Sequence, residues 1–402
     1  MNLRIVMTKR KQACVWSFLF HTMGMIERVW WKNKILTLWE KRPIVWLSGV
    51  RRVGKTLLCR SIDGIRYYDC ELPSVRRELE DPEAFLKSAP EGFIALDEVH
   101  RLPDPAALLK IAADHFPQVK IIATGASTLG ASVKFKDTLA GRKSELRLTP
   151  LCEKDSNFPG YGDRARRFLN GGLPGFFLDE RRDDKDYSEW MEAFWARDIL
   201  ELFRLERRDS FLKFAELLLA QSSCRFNAAA FAAACGVSRP TIANYLAILE
   251  STHLVWVVRP YSDGHSREIV STPLVYGFDT GFVSWSQGLH EIPGKDKGFF
   301  WEHLVLNELK AGLQDDEILC WRDKQGREVD FICRRRGKDP VAIEVKWSAS
   351  AFDPGGIRAF RALHPGSMNI LVANDIQQSY TREVAGMLVR FCPLVELVDS
   401  IG

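Results

Sequence analysis

Gly49, Gly54, Lys55 and Thr56 stand in the spacing G-x-x-x-x-G-K-T within "PIVWLSGVRRVGKTLL". Glycines at those places let backbone N–H groups curl around phosphates, a lysine can reach β and γ oxygens, and the threonine hydroxyl can hold magnesium. The residues between and just after them, Val50, Arg51, Arg52, Val53 and Leu57, would line the same nucleotide. Downstream, "GFIALDEVH" ends an apolar run in Asp97 and Glu98. Asp97 would bind magnesium through water, and Glu98 would orient and deprotonate an attacking water, so hydrolysis is expected as well as binding. Each motif has a plainer alternative, a Gly-rich turn or a polar strand end, but their pairing favours the phosphate chemistry.

Three weaker candidates surround this pair. "VKIIATGAST" ends in small polar residues, so Thr124 or Ser127 could sense the γ-phosphate, or simply cap the strand. Arg142 in "TLAGRKSELRL" is a candidate finger for transition-state charge, in cis or from a neighbouring subunit of a homo-oligomer; an exposed salt bridge is the alternative. Arg197-Asp198 could face the nucleotide or another domain, although a solvated pair on a helix is the favoured reading.

A second group of chemistry-bearing residues lies in "GREVDFICRRRGKDPVAIEVKW". Strand alternation puts Val341, Ile343, Val345 and Trp347 on one face and Ala342, Glu344 and Lys346 on the other. On the partner run Val329, Phe331 and Cys333 share one face, and Glu328, Asp330 and Ile332 the opposite one. A hairpin turn at "RRRGKDP" would bring Asp330 to Glu344 and Lys346. Two carboxylates and an ammonium suit magnesium-assisted phosphodiester hydrolysis, with Glu302 on the preceding helix completing the metal shell. A sheet with one polar face yields the same spacing.

The elements that must carry these residues follow from periodicity. Apolar runs at 44 to 47, 93 to 96 and 119 to 123, alternating with helical segments, argue for a doubly wound α/β domain with the nucleotide at the strands' carboxyl ends. From about residue 160 the pattern turns helical, as in the lid that follows an ATPase core. "FNAAAFAAACGVSRPTIANYLAILESTHLVWVVRPY" then carries a helix, a Gly236 turn, a Ser238 cap, a second helix and a strand-like wing. Its base-reading candidates are Arg239, Thr241, Asn244 and Tyr245; with no lysine among them, a packing or regulatory role stands slightly ahead of sequence reading.

Composition sets the outer bounds. The chain has 402 residues, room for several domains, and a net charge of 56 minus 52, or +4, too small to argue for nucleic acid or a membrane surface by itself. Nine cysteines without a C-x-x-C pair suit a reducing cytoplasm. No run approaches a membrane span. "MNLRIVMTKRK" followed by "ACVWSFLFHTMGM" imitates a secretory signal, but the apolar part is short, His21 interrupts it and no small-x-small site follows; an extension, or a true start at Met25, is expected instead.

The order of motifs resembles predicted AAA+ superfamily ATPases with a carboxyl-terminal domain of unknown function similar to PD-(D/E)XK nucleases. It is carried by "SGVRRVGKT", "IALDEVH", "TGAST", "LAGR", "GGLPGFF", "ARDI", "GVSRPTIANYLAILESTHLV", "YGFDTGF", "GFFWEHLVLNEL", "WRDKQGREVDF" and "IEVKW", across nearly all of residues 25 to 375. The resemblance implies ATP and magnesium at Gly54, Lys55, Thr56, Asp97 and Glu98, and a nuclease-like acidic set at Glu302, Asp330, Glu344 and Lys346, acting on DNA. Val50 and Arg52 depart from the usual proline and glutamine of the loop, and His303 stands where asparagine commonly follows the helix glutamate. The expected architecture is an extension (1–24), an AAA+ P-loop core (25–158), a helical lid (159–215), a winged helix (216–265) and a nuclease-like α/β domain (266–402). The expected function is a cytoplasmic ATPase controlling that last domain. Two rivals are an ATP-driven switch whose last domain binds without cutting, and a winged-helix regulator.

Overall fold

The structure, a computed structural model, describes residues 26–89, 92–125, 133–155, 162–179, 181–200, 203, 205, 207–262, 272–314 and 316–402. The amino-terminal extension and Ser127 lie outside the described residues. The chain packs as two units. One comprises Met1–Leu148, Leu173–Leu178 and Ala196–Arg204, the other Thr149–Gly172, Asp179–Trp195 and Leu205–Gly402.

In the first unit, β1 (Ile44–Ser48), β2 (Arg66–Asp69), β3 (Gly92–Asp97), β4 (Val119–Thr124) and β5 (Lys143–Arg147) form one sheet in the order β2-β3-β4-β1-β5. Every pairing in it is parallel. A parallel strand covered on both faces needs an unbroken apolar run, and Ile44, Val45, Trp46 and Leu47 are all buried. The helix Val29–Lys41 is pinned to the sheet by Trp39, whose Nε1–H donates to the Ile121 carbonyl at 3.0 Å while its ring stacks on Phe93 at 4.8 Å. Asp104 caps the helix Pro105–His115 by accepting from the Ala107 amide. The adjacent strands β3, β4 and β1 point the same way. Their carboxyl ends therefore bring Asp97, Thr124 and the glycine loop to one edge of the sheet.

The second unit is built on a mixed sheet of nine strands. These are β6 (Cys224–Arg225), β7 (Val255–Pro260), β8 (Leu274–Gly277), β9 (Glu317–Arg322), β10 (Glu328–Arg334), β11 (Val341–Lys346), β12 (Met368–Ala373), β13 (Tyr380–Val384) and β14 (Met387–Cys392), in the order β13-β14-β12-β11-β10-β9-β7-β8-β6. The helix Lys297–Gly312 lays Trp301, Leu304, Val305 and Leu309 on it, in one core with Phe331, Val341, Ile343, Ile370 and Val372. Trp256, Val258 and Tyr276 belong to that same core. The expected boundary at 265/266 lies outside the described residues; the strands on either side of it, β7 and β8, pair in this one sheet, and β7 runs parallel to β9 through Arg259 opposite Leu319 and Pro260 opposite Cys320. The residues expected as a lid divide between the units, Leu173–Leu178 and Ala196–Arg204 going with the first.

The hairpin needs one correction. Phe331, Cys333, Val341, Ile343 and Val345 share a core as their alternation requires, but Val329 packs with Ile332 and Ala342 on the other side. Between Val329, opposite Trp321, and Ile332, opposite Leu319, β10 carries one residue more than β9. That bulge reverses the alternation for everything before it.

Candidate functional site

The glycine loop leaves β1 and enters the helix Lys55–Arg60. Gly49 has φ +144°, and a Cβ there would sit 2.5 Å from the Leu148 carbonyl oxygen; Gly54 has φ +103°. Neither place accepts an ordinary side chain. Lys55 is half-buried, and its ammonium donates to the carbonyls of Gly49 at 2.8 Å and Val50 at 3.2 Å. Burial pushes that ammonium below its usual pKa, against the opposing pull of Glu98, Asp198 and Asp97. Arg52 adopts φ +60°, an uncommon conformation for a residue with a side chain.

Asp97, 4% exposed, is the hub of the site. Its Oδ2 accepts from the Thr56 hydroxyl at 2.7 Å and the Tyr67 hydroxyl at 2.6 Å, and its Oδ1 from Thr124. Thr124 Oγ1 in turn accepts from the Glu98 amide at 3.1 Å, so one hydroxyl fixes both acids of the pair. Glu98 sits in a left-handed turn with φ +56°. Residues held in such conformations cluster where chemistry is done, since the surroundings must enforce them. Burial would raise the Glu98 carboxyl, but the hydrogen bond from His100 and the charge of Lys55 outweigh it and leave the group below the usual range, so it stays an anion at neutral pH. Thr56 and Asp97 present adjacent hard oxygens, a donor set that fits magnesium beside a triphosphate.

The weaker candidates separate. Thr124 is in the site. Arg142 is held by Asp114, Nε to Oδ1 at 2.6 Å and Nη2 to Oδ2 at 3.0 Å, which is the exposed ion pair named as its alternative. Arg197 is exposed, but Asp198 is half-buried and one of its carboxylate oxygens is buried with no hydrogen-bond partner, contrary to a fully solvated pair. Tyr67 carried no spacing signal and arrives from β2, which only folding places beside Asp97, whereas His100 stands two residues after Glu98 in the same motif and was not singled out.

In the second unit the bulge re-aims Asp330 so that its Oδ2 accepts from the Val345 amide at 2.7 Å. Lys346 Nζ lies 2.7 Å from Glu344 and 3.5 Å from Asp330, so the expected approach of these three residues is present. Glu302 Oε1 accepts from the Tyr276 hydroxyl at 2.5 Å. Burial, reinforced by the charge of Asp330, pushes both Glu302 and Glu344 up to about 8. Burial pulls Lys346 down, yet the carboxylates of Asp330 and Glu344 prevail and hold it at about 12. A cavity of about 300 Å³ opens between Glu302, Asp330, Glu328, Tyr276 and Arg225. Among the described residues, however, no three His, Cys, Asp or Glu side chains are arranged to hold a metal ion. The charge that compensates Asp330 and Glu344 is Lys346, and a metal shell from Glu302, Asp330 and Glu344 does not fit this arrangement as it stands.

His303 turns away from the acids: its Nε2 lies 2.6 Å from the Ser222 hydroxyl and its Nδ1 2.9 Å from the Phe299 carbonyl. Burial lowers it to about 4, so it is a neutral packing residue. The helices Ala228–Cys235 and Arg239–Ser251 meet at Gly236, and Ser238 caps the second through the Thr241 amide at 3.3 Å, both as expected. Of the proposed base readers, Arg239 and Asn244 are exposed and Thr241 half-exposed. Tyr245 is corrected: it is 2% exposed and packs edge-on against Phe211 at 5.1 Å, because helical spacing puts it on the face of Ile242, Ile248 and Leu249. All eight cysteines among the described residues are free thiols. No helix among the described residues is long and apolar enough to cross a membrane.

Comparison with known proteins places names beside these parts. A family model described as AAA domain matches residues 41–156, one described as a domain of unknown function (DUF8612) matches 162–292, and another domain of unknown function (DUF4143) matches 297–389. The chain is 26% identical over 319 residues to the uncharacterized protein Rv2008c of Mycobacterium tuberculosis, covering 76% of this chain and 71% of that one; the uncharacterized protein Mb2031c of Mycobacterium bovis matches to the same extent. Among solved structures, the Walker-type ATPase PABY2304 of Pyrococcus abyssi aligns at 18% identity and a TM-score of 0.45, over 65% of this chain and 96% of that one. The signal transduction ATPase with numerous domains PH0952 of Pyrococcus horikoshii aligns at 13% identity and a TM-score of 0.28, over 70% of this chain and 45% of that one.

Proposed function

We propose that this chain, whose residues 41–156 are an AAA-type P-loop ATPase domain, hydrolyses ATP and uses that cycle to control a nuclease-like domain acting on DNA. The observation that carries the first half is the hub at Asp97, where one threonine, Thr124, fixes both acids beside a glycine loop. Lys55 would hold the β and γ oxygens, and Thr56 and Asp97 would hold magnesium, whose charge neutralises the triphosphate. Glu98 orients the attacking water and takes one of its protons. The water oxygen bonds to the γ-phosphorus, the bond from that phosphorus to the bridging oxygen breaks, and ADP leaves with the electron pair. With purified chain, ATP and magnesium, phosphate release is expected. Glu98→Gln should keep nucleotide binding and lose about 10²–10⁴-fold in turnover. The ATPase reading fails if the chain releases no phosphate and Lys55→Ala binds nucleotide as well as the parent.

For the carboxyl-terminal half, the reading rests on the juxtaposition of Asp330, Glu344 and Lys346 beside a polar cavity. The reading to set against it is a domain that binds nucleic acid or protein without cutting, favoured by Lys346 standing in as the cation between the two carboxylates. Incubation with DNA or RNA and magnesium or manganese separates them: cleavage abolished by Asp330→Ala supports the nuclease, and intact substrate at every metal concentration supports the binder.

A further inference from the structure

We infer that Asp198 is a second carboxylate of the hydrolytic site, holding the attacking water together with Glu98. The inference deepens the ATP-hydrolysis reading and rests on it.

Asp198 lies in a short π-helical turn, Trp195–Ile199, far along the chain from the glycine loop, yet Ala196–Arg204 packs in the same unit as that loop. Within the turn Ile199 is buried while Ala196 and Arg197 are exposed, so the backbone is held directly after Asp198. Such turns insert one residue into a helix and are over-represented where a side chain must be redirected for function. The Asp198 carboxylate keeps one oxygen buried with no donor to satisfy it. A buried acceptor in that state needs an explanation, and a missing ligand is one.

The charges around Asp198 say which ligand. After burial, which raises its carboxyl, the groups acting on it are Lys55, then Arg51, Glu98 and His100. In return, the charge of Asp198 is among those that oppose the effect of burial on Lys55. These are the groups of the terminal-phosphate end of a P-loop site. The γ-phosphate of ATP is mostly deprotonated at neutral pH and would repel a carboxylate, so the phosphate itself is a poor donor. A water lying between can donate to both acids at once. Two acceptors fix both of its O–H bonds and leave a lone pair directed at the γ-phosphorus. As that oxygen bonds to phosphorus and the bridging oxygen departs with ADP and the electron pair, Glu98 receives one proton. The other stays on the new phosphate hydroxyl, donated to Asp198.

The test uses the full chain carrying Asp198→Asn or Asp198→Glu, with ATP affinity measured by equilibrium titration and turnover by phosphate release. In Asp198→Asn a negative charge beside the triphosphate is gone, so affinity should hold or rise while kcat falls tenfold or more; Asp198→Glu should recover part of the rate. A merely structural carboxylate would lose affinity and turnover together, and that result overturns the inference. So does a kcat within twofold of the parent, or a glutamate no better than asparagine. A parent chain that releases no phosphate brings down the ATP-hydrolysis reading itself, whereas an unchanged variant of an active parent removes Asp198 alone.

Discussion

A carboxyl group that is buried beside another acid keeps its proton to a higher pH in the folded chain than in the unfolded one. Glu302 and Glu344 are two such groups, each moved from an ordinary 4.5 to about 8. Between those values the folded chain holds protons that the unfolded chain has released, so stability falls as pH rises from about 5 to about 8 and levels off above it. Urea midpoints at pH 5.5 and 8.5 should therefore differ, and Glu302→Gln, which keeps an acceptor for the Tyr276 hydroxyl, should flatten the difference; equal slopes in parent and variant would refute it. Residues of this kind show how far a sequence can be read. Gly49, Gly54, Lys55, Thr56, Asp97 and Glu98 were legible because a phosphate site needs those types at that spacing within one strand and turn. Tyr67 and Tyr276 were not, because each serves a carboxylate 30 or 26 positions away through contacts that no local pattern encodes, and Asp198 stands in the sequence only as half of a pair whose solvated reading is preferred.

At the scale of elements, the parallel strands of the first unit could be read directly, since strands buried on both faces are continuous apolar runs. The hairpin was read correctly along β11 and only in part along β10, where the extra residue between Val329 and Ile332 resets the alternation. A bulge depends on the partner strand and leaves almost no trace in the run that contains it. The same bulge gives Asp330 its hold on the Val345 amide, so the local irregularity and the site are one feature. The strand beneath the acids, β11, is the mechanical support of that site. Ile343 in it is fully buried against Phe331 and Ile370, and Ile343→Ala should cost about 2–5 kcal/mol of stability. Chemical denaturation would measure it, and a loss below about 1 kcal/mol would mean that this sheet is not the core that holds the acids in place.

For the whole molecule the informative fact is connectivity. The chain leaves the first unit after Leu148, returns for Leu173–Leu178, leaves again, and returns for Ala196–Arg204. Those returning pieces carry buried Leu173, Phe177 and Ile199, each worth about 1.5–3 kcal/mol when removed from water. A fragment covering only residues 25–158, the core that motif order suggests, would forgo several kcal/mol out of a typical total of about 5–15. It should be purified as a loosely packed species that binds hydrophobic dyes and melts without a sharp transition; a cooperative melt and full ATP affinity would show that the returning pieces are dispensable. Motif order could not disclose this, because it reports sequence neighbours and the units are interleaved.

Interleaving also bears on inheritance. Modules that end where the next begins can be exchanged by a single recombination event. Here a crossover near residue 158 would hand a recipient the loop and the acid pair but leave Leu173–Leu178 and Ala196–Arg204 behind with the donor's other half. Lineages should therefore transmit this ATPase and its carboxyl-terminal partner as one heritable piece, diversifying by substitution within it.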